Sequence, residues 1–309
     1  MAGVSPCTRC RAPAVALVRR TGEHLCAAHF VASVEREVQE TVERTGMIRD
    51  GDCIAVGLSG GKDSSVLLYI LSRLLRDRPE VRLLAITIDE GIAGYREETM
   101  KAARALTADL GVEQFVVSFE DAFGRSLDAF LQNPAAPNPC TLCGVLRRRA
   151  LQTAARRAGA TKLATGHSLD DEAEAALMNV LNGDLKRIAR TGIPGNAFVP
   201  RIKPLGGVPE KEVTLYAVVQ GLFLPLPECP YAGQALRSEA RTIISTLEYR
   251  HPGTTMQFME GYTTLRERGA HCLEEEGATG GFTRCEECGE PATGRRCQAC
   301  SLLASLRDE

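Results

Sequence analysis

Several features that mark other protein classes are absent from this 309-residue sequence. It has no tryptophan, aromatic residues make up 5% of it, and the formal net charge is only −2. Its longest uncharged apolar stretch, residues 213–227, is interrupted by Gln220, Gly221 and Pro225 and is shorter than the roughly 20 residues that a membrane helix needs. We therefore expect no membrane span. Hydrophobic residues make up 44% of the chain, which is enough for a full core and more than one structural unit.

The N-terminus also lacks the basic start and the apolar run of a secretory signal. A cytoplasmic location, where thiols stay reduced, is therefore the expectation. The 12 cysteines do not have the spacing of a disulfide scaffold, because most of them occur in Cys-x2-Cys or Cys-x2-His pairs. In a reducing compartment such pairs are typical of metal sites.

Two sets of paired ligands lie near the ends of the chain. The first consists of Cys7, Cys10, Cys26 and His29, and the second of Cys285, Cys288, Cys297 and Cys300. Each set supplies four ligands in two knuckles, which is the closed tetrahedral arrangement of structural zinc. Because no coordination position is left open, we expect two zinc ions that act in folding or partner binding rather than in catalysis. Cys53 is expected to be a packing residue, and Cys272 has no assigned role.

The central region alternates short apolar runs with helical patterns. Predicted strands at residues 53–58, 83–88, 114–117 and 162–165 are separated by helices, which indicates an α/β fold, a parallel sheet with flanking helices. Valines at 31, 34, 38 and 42 predict an amphipathic helix that packs the N-terminal ribbon against this domain.

A glycine-rich turn joins the first of these strands to a helix. It consists of Ser59, Gly60, Gly61, Lys62, Asp63 and Ser64. Adjacent glycines let backbone N–H groups approach an anion, the helix N-terminus adds the positive end of its dipole, and Lys62 adds a point charge. The turn lacks Walker A spacing, so we predict a phosphate site unlike that of an ordinary P-loop NTPase. The alternative is a structural turn with an exposed lysine.

A third group of cysteines lies between the two ends. Cys140 and Cys143 are predicted to lie in a proline-rich loop before a helix with Arg147, Arg148 and Arg149, whose charges are expected to lower the thiol pKa. Cys229 could fold back as a third ligand, and three thiolates with one open position suit an iron–sulfur cluster. A redox disulfide or persulfide pair at Cys140 and Cys143, or inert packing thiols, are the alternatives that the spacing leaves open.

Ser59 to Ser64, SGGKDS, resembles the PP-loop of the N-type ATP pyrophosphatases, which cleave ATP between its α and β phosphates. Further segments narrow this resemblance: Asp89-Glu90-Gly91-Ile92, Gly94-Tyr95-Arg96, Pro139-Cys140-x2-Cys143-Gly144, Gly166-His167-x2-Asp170-Asp171 and Glu228-Cys229-Pro230-Tyr231. Together with both cysteine sets, they make nearly the whole chain similar to the TtuA/NcsA family of tRNA 2-thiouridine synthetases, relatives of the eukaryotic cytosolic tRNA thiouridylases. One departure is Ser168, where the family more often has asparagine.

The resemblance implies an ATP-dependent tRNA sulfurtransferase that adenylates the C2 oxygen of a tRNA uridine and replaces it with sulfur. It implies that Ser59 to Ser64, Arg147 and Gly166 bind ATP with Mg²⁺. It also implies that Cys140, Cys143 and Cys229 hold a 4Fe-4S cluster whose open iron carries sulfide. The expected catalytic residues are Cys140, Cys143, Cys229, Lys62 and Asp171. Asp171 would orient Mg²⁺ or act as a general base, whereas Asp170 is as well explained by its charge at a helix N-terminus.

The expected organisation is an N-terminal zinc ribbon (1–30), a PP-loop catalytic domain (31–225), a helical extension (226–271), a linker (272–283) and a C-terminal zinc ribbon (284–309). Basic residues expected to contact tRNA phosphates are Lys186, Arg187, Arg190, Arg201 and Lys203, with a solvated charged face as the alternative.

Other functions are compatible with parts of the sequence. They are the same reaction through a Cys140/Cys143 persulfide without a cluster, another PP-loop ligase such as a lysidine- or NAD-forming synthetase, and a non-catalytic zinc-ribbon tRNA-binding subunit. The resemblance leaves open whether the wobble uridine or the T-loop ribothymidine is thiolated. It also leaves open whether the sulfur donor is a thiocarboxylated ubiquitin-like carrier protein or free sulfide. A homodimer is expected from the family alone.

Overall fold

The computed structural model describes residues 5–183, 188, 198–231, 236–275 and 283–306. The strands are β1 (Ala16–Val18), β2 (Glu23–Leu25), β3 (Cys53–Gly57), β4 (Arg82–Asp89), β5 (Glu113–Ser118), β6 (Lys162–Ala164), β7 (Arg201–Ile202), β8 (Thr283–Arg284) and β9 (Pro291–Ala292). The helices are α1 (Ala27–Thr45), α2 (Lys62–Leu74), α3 (Arg96–Leu110), α4 (Phe119–Phe123), α5 (Leu127–Phe130), α6 (Pro139–Arg157), α7 (Leu169–Leu181), α8 (Glu210–Val219), α9 (Leu236–Arg250), α10 (Thr254–Glu275) and α11 (Gln298–Ser305).

Five strands form the central sheet, in the order β5-β4-β3-β6-β7, and every neighbouring pair is parallel. The predicted α/β class is confirmed. Two small antiparallel sheets, β1-β2 and β8-β9, belong to the two terminal ribbons.

The two faces of the sheet carry separate hydrophobic cores. Ile54 and Val56 of β3 belong to one core, and Cys53 and Ala55 belong to the other, because successive strand side chains point to opposite faces. The first core also contains buried residues of α1, α2, α8 and the N-terminal ribbon. The second contains those of α6 and the C-terminal ribbon. The two ribbons therefore lie on opposite faces of the sheet.

The N-terminal ribbon is fixed to the domain through α1, as the valine pattern predicts. Val34, Val38 and Val42 are buried, and Arg20 of the ribbon bridges two helices. Its guanidinium lies 2.9 Å from Oε2 of Glu37 on α1 and 3.2 Å from Oε2 of Glu212 on α8.

The structure corrects two sequence-based boundaries. Cys140 and Cys143 do not lie in a loop before the arginine-rich helix, because α6 begins at Pro139 and includes both cysteines. The Asn138 side chain caps this helix by accepting a hydrogen bond from the Cys140 N–H at 3.0 Å, and proline is well suited to a first helical position. Helix α10 continues to Glu275, beyond residue 272, where the linker was predicted to begin. Within the described residues, none of the helices has the length and apolar character to span a bilayer.

Candidate active site

The centre of the sheet brings two loops together. β3 pairs with β4 on one side and with β6 on the other, so the chain leaves β3 and β6 at a point where the strand order reverses. Ligands bind at such points, outside the carboxyl ends of the strands, in open α/β sheets. The loop of residues 59–64 follows β3, and Gly166 follows β6.

The loop after β3 is shaped by its own serines. The Ser59 N–H donates to Oγ of Ser64 at 3.1 Å, the two hydroxyl oxygens are 3.0 Å apart, and the Gly61 N–H donates to Oγ of Ser59 at 3.3 Å. Gly61 is the N-cap of α2, and no side chain of the described residues caps the helix there. The amides at the start of α2 can therefore bind an anion.

Two glycines allow backbones to meet at this point. Gly60 has a φ of +87°, and a Cβ there would lie 1.9 Å from the Thr99 carbonyl oxygen. A Cβ on Gly166 would lie 2.8 Å from the Asp63 carbonyl carbon and 2.9 Å from the Ser64 nitrogen. Gly166 thus packs directly against the loop expected to bind phosphate, and a larger residue there would displace that loop.

Lys62 lies at the start of α2 between two carboxylates. Its Nζ is 2.7 Å from Oδ1 of Asp63 and 3.1 Å from Oε1 of Glu210. Burial opposes its charge, but Asp63 and Glu210 outweigh burial and raise the pKa of Lys62. The side chain is therefore an ammonium at neutral pH. A bound phosphate would replace these carboxylates as its partner.

The adjacent aspartates after β6 have different neighbours. Asp170 Oδ2 accepts a hydrogen bond from the Glu210 N–H at 2.6 Å, at the start of α8. Asp171 forms a capping box with Ser168, whose N–H donates to Asp171 Oδ2 at 3.0 Å. The other oxygen of Asp171 lies 3.9 Å from the Arg241 guanidinium. The serine that departs from the family pattern thus positions Asp171, and one carboxylate oxygen remains outside the cap.

Cys140 and Cys143 lie one turn apart on α6, and Cys229 lies in the segment after α8. The Cys140 thiol donates to the Tyr231 carbonyl oxygen at 3.2 Å, and the Tyr231 hydroxyl donates to Oδ1 of Asp128 at 2.8 Å. These two bonds anchor the segment that carries Cys229 beside the start of α6.

Electrostatics at Cys143 differs from the sequence-based expectation. Burial raises the pKa of Cys143 to about 11, because the opposing charge of Arg147 does not offset it and Glu90, Cys229 and Cys140 add to the rise. The expected lowering of this pKa by arginine is therefore wrong for Cys143. Metal binding at this thiol requires loss of its proton.

Glu90 and Arg96 were not among the predicted site residues. Both are about 5% exposed, and Nε of Arg96 lies 2.8 Å from Oε2 of Glu90. Arg96 also donates to the carbonyl oxygens of Ser59, at 3.1 Å, and of Ile88. The other carboxylate oxygen of Glu90 lies 3.5 Å from Arg147. The available signal was that both residues lie in segments that carry the family resemblance, Asp89-Glu90-Gly91-Ile92 and Gly94-Tyr95-Arg96.

A second missed group joins α9 to α7. Glu174, whose side chain is about 1% exposed, pairs with Arg241 at 2.8 Å and with Arg237 at 3.4 Å. Arg241 is the residue that also approaches Asp171. This contact fixes the helical extension beside the loop after β6.

The terminal cysteine sets have the dimensions of single-ion sites. Within each set, all ligand atoms lie within 4.8 Å of one another. The sulfurs of Cys10 and Cys26, and those of Cys288 and Cys297, are 3.7 Å apart. Tetrahedral zinc with Zn–S bonds of about 2.3 Å places its sulfurs about 3.8 Å apart. Both sets fit zinc.

The three-cysteine group is built differently. Among the described residues, Cys140, Cys143 and Cys229 do not form a set whose ligand atoms all lie within 4.8 Å, as the terminal sets do. This spacing is wider than one zinc ion requires, and three cysteine thiolates are the donors typical of an iron–sulfur cluster. The donor set of this group is therefore compatible with an iron–sulfur cluster.

Of the basic residues expected to contact tRNA, Arg201 is exposed on β7. Lys203 is paired, because its Nζ lies 2.6 Å from Oε2 of Glu172. Lys186, Arg187 and Arg190 lie outside the described residues.

Comparison with known proteins agrees with this geometry. A sequence profile of the PP-loop domain matches residues 31–223, and one described as the N-terminal LIM domain of the 2-thiouridine synthetase TtuA matches residues 7–31. The fold and the site thus define a PP-loop protein with a LIM-type N-terminal module.

Full-length relatives specify the family. The tRNA 2-thiolation protein NcsA of Haloferax volcanii is 40% identical over 97% of this chain and 98% of its own length. Cytoplasmic tRNA 2-thiolation protein 1 of Mus musculus is 39% identical over 97% of this chain and 72% of its own length. A solved structure, the U34-tRNA thiolase NcsA from Methanococcus maripaludis with its 4Fe-4S cluster, matches with a TM-score of 0.83 and 35% identity, covering 98% of this chain and 96% of that one. The chain belongs to the TtuA/NcsA family of tRNA 2-thiolation proteins.

Proposed function

We propose that this chain is an ATP-dependent tRNA sulfurtransferase that replaces the C2 oxygen of a tRNA uridine with sulfur. The observation that carries the proposal is the link between two chemically distinct sites. The anion-binding loop after β3 is held by Arg96, the three-cysteine group is flanked by Arg147, and Glu90 contacts both arginines. Neither a lysidine-forming nor an NAD-forming ligase reaction needs three thiols beside its nucleotide loop.

In the first step, the C2 carbonyl oxygen of the uridine attacks the α-phosphorus of ATP. A bond forms between this oxygen and phosphorus, and the bond from phosphorus to pyrophosphate breaks. The amides at the start of α2 and the Lys62 ammonium stabilise the negative charge that moves onto the phosphate oxygens. Mg²⁺ accompanies the ATP, and Asp171 is the carboxylate proposed to orient it.

Adenylation prepares the second step, because an AMP ester is a far better leaving group than a carbonyl oxygen. A hydrosulfide nucleophile attacks C2, the C2–O bond breaks, and AMP leaves with the former uridine oxygen. The proton of the nucleophile is released, so that 2-thiouridine and AMP are the products. Gly166 and Arg147 are proposed to complete the ATP site beside this reaction.

Cys140, Cys143 and Cys229 are the residues that would hold a 4Fe-4S cluster. With three protein thiolates, such a cluster would keep one iron free for an exogenous ligand, and it would supply sulfide to the reaction. The cysteine and histidine sets at the two termini would each hold one zinc ion with a structural role.

We place the sulfur at U34, because the Methanococcus maripaludis relative carries this position in its name. We also propose a cytoplasmic location, because the mouse relative is named as cytoplasmic. For the donor we propose a carrier protein that ends in a thiocarboxylate, with free sulfide as the alternative reagent, and for the assembly a homodimer. Mass spectrometry of digested tRNA tests the position, and light scattering tests the assembly.

The test uses anaerobically purified wild type, Cys140→Ala and, as a matched control, Cys53→Ala. Cys53 is a buried cysteine at the start of β3. We expect about four irons and about two zincs per chain, and tRNA-dependent release of pyrophosphate with formation of 2-thiouridine. Cys140→Ala should lose its iron and the ability to form 2-thiouridine but keep both zincs. Cys53→Ala should keep the iron, both zincs and the formation of 2-thiouridine.

Two other outcomes decide between mechanisms. If a strictly anaerobic preparation that contains zinc but no iron thiolates tRNA, the mechanism is persulfide chemistry at Cys140 and Cys143 rather than a cluster. Absence of both tRNA-dependent pyrophosphate release and 2-thiouridine would overturn the proposed function.

A further inference from the structure

Glu90 is one carboxylate with two arginine partners that serve different parts of the site. Its Oε2 lies 2.8 Å from Nε of Arg96, and its Oε1 lies 3.5 Å from Nη1 of Arg147. The carboxylate is 5% exposed, so water does not replace either partner readily. A buried carboxylate that loses an arginine partner is left with an uncompensated charge, which makes both contacts costly to break.

The Arg96 side leads to the nucleotide loop. Arg96 is buried and donates to the Ser59 carbonyl oxygen at 3.1 Å, and also to the Ile88 carbonyl oxygen at the end of β4. Ser59 is the residue whose hydroxyl receives the Gly61 N–H and contacts Ser64. Arg96 therefore links the Glu90 carboxylate to the backbone of the anion-binding loop.

The Arg147 side leads to the three cysteines. Arg147 lies one helical turn after Cys143 on α6, where residues four apart are neighbours on one helix face. Its side chain is 54% exposed, so burial against neighbouring side chains does not fix it. Within the described residues, Glu90 is the carboxylate that pairs with it.

Glu90 itself is fixed from the backbone. Its carbonyl oxygen accepts a hydrogen bond from the Leu127 N–H at 2.7 Å, which joins the end of β4 to the start of α5. The neighbouring Asp89 side chain accepts from the Gly91 N–H at 2.9 Å and closes the turn. The carboxylate is therefore held on a defined backbone between the two halves of the site.

We propose that Glu90 is a positioning residue that sets Arg96 and Arg147 together, so that the nucleotide loop and the three-cysteine group keep one relative placement. This inference rests on the proposed function, because it assigns ATP to the loop and a cluster to the cysteines. Glu90 touches neither ligand and acts through the two arginines.

The experiment is a double-mutant cycle with Glu90→Gln, Arg147→Met and the double variant in the full chain. Two quantities are measured, the Kd for ATP without tRNA and the iron bound per chain after anaerobic reconstitution. Glu37→Gln is the matched control, because Glu37 also pairs with an arginine, Arg20 at 2.9 Å, but lies on α1. Thermal unfolding identifies any variant that fails to fold. If Glu90→Gln fails to fold, Arg147→Met remains as an independent single variant, because the Arg147 side chain is exposed.

We expect Glu90→Gln to raise the Kd for ATP about tenfold, because it removes a charge-assisted contact to each arginine, and also to lower the bound iron. The factor by which Arg147→Met raises the Kd for ATP should then be at least about threefold smaller in the Glu90→Gln background than in wild type.

A merely structural role would give additive effects. Additivity, or values for Glu90→Gln that match those of Glu37→Gln, would overturn the proposal. A wild type that binds ATP and iron but shows neither tRNA-dependent pyrophosphate release nor 2-thiouridine would instead overturn the proposed function, while the cycle still decides the role of Glu90.

Discussion

The N-terminal ribbon uses three cysteines and His29, whereas the C-terminal ribbon uses four cysteines. With Zn²⁺ bound, three thiolates leave about one net negative charge and four leave about two. An arginine from the catalytic domain faces only the more negative set among the described residues. Nη1 of Arg149 on α6 lies 3.1 Å from Sγ of Cys288 and 3.9 Å from Sγ of Cys297. The positive charge of Arg149 therefore lies beside the four-cysteine set, which carries the larger negative charge.

Hydrophobic packing, in contrast, involves larger side chains in the N-terminal ribbon than in the C-terminal ribbon. Val18, Leu25 and Phe30 of the N-terminal region are completely buried and continue the core beneath α1. In the C-terminal ribbon, β8 is exposed, and the buried side chains include small ones such as Ala292 and Ala299. The comparison teaches that both ribbons join a hydrophobic core, with larger buried side chains at the N-terminal end and smaller ones at the C-terminal end.

The largest expected difference comes from removing one ligand in each ribbon. Cys26 and Cys297 occupy matching positions, because each is the third ligand of its set and the N-cap residue of the helix that follows, although of the two only the Cys297 side chain accepts a capping hydrogen bond. We expect Cys26→Ala to lower the free energy of unfolding by at least about 3 kcal/mol, since large side chains of this region are completely buried in the core, and Cys297→Ala by less than half as much. Urea denaturation followed by circular dichroism, with zinc content, measures both. Equal losses would show that the two ribbons are equally integrated into the core.

A smaller difference is expected when Arg149 is replaced. Arg149→Met should speed zinc release from the C-terminal set to a chelator about tenfold, because groups that hydrogen-bond metal ligands affect metal retention to this extent. The N-terminal zinc of the same chain is an internal control. Arg157→Met, an exposed arginine on the same helix, is the matched substitution. Equal acceleration at both sets, or none, would rule out local charge compensation by Arg149.

The smallest difference is expected in the response to pH. Although burial opposes it, hydrogen bonds from backbone N–H groups lower the pKa of Cys7 to about 6, and the same holds for Cys285. A lowered pKa keeps the thiolate above that value and loses it as the pH falls through it. Alkylation of the zinc-free protein, resolved by mass spectrometry, should therefore decline at both cysteines as the pH falls through about 6. Midpoints more than about one pH unit apart would show that the two ribbons bind protons differently.

Much of the architecture could be predicted because it depends on local pattern. Strand β3 was predicted from an apolar run, and the alternation of Ile54 and Ala55 between two cores follows from the period of a strand. The start of α6 was missed, because the predicted loop was inferred from its prolines, whereas Pro139 occupies a first helical position. The expected lowering of the Cys143 pKa was wrong because burial is not visible in a list of neighbouring charges.

The sequence by itself determined the family and predicted the ligand sets and the anion-binding loop, because these depend on spacing along the chain and residue type. Only the tertiary structure decided which charges meet. Glu90 pairs with Arg147 and Arg149 pairs with the Cys288 sulfur across long separations in sequence. Arg147 and Arg149 are two residues apart on one helix, and their directions differ because positions two apart do not share a helix face. Such pairings depend on how helices and strands are oriented in space, which the periodicity of a single element does not specify.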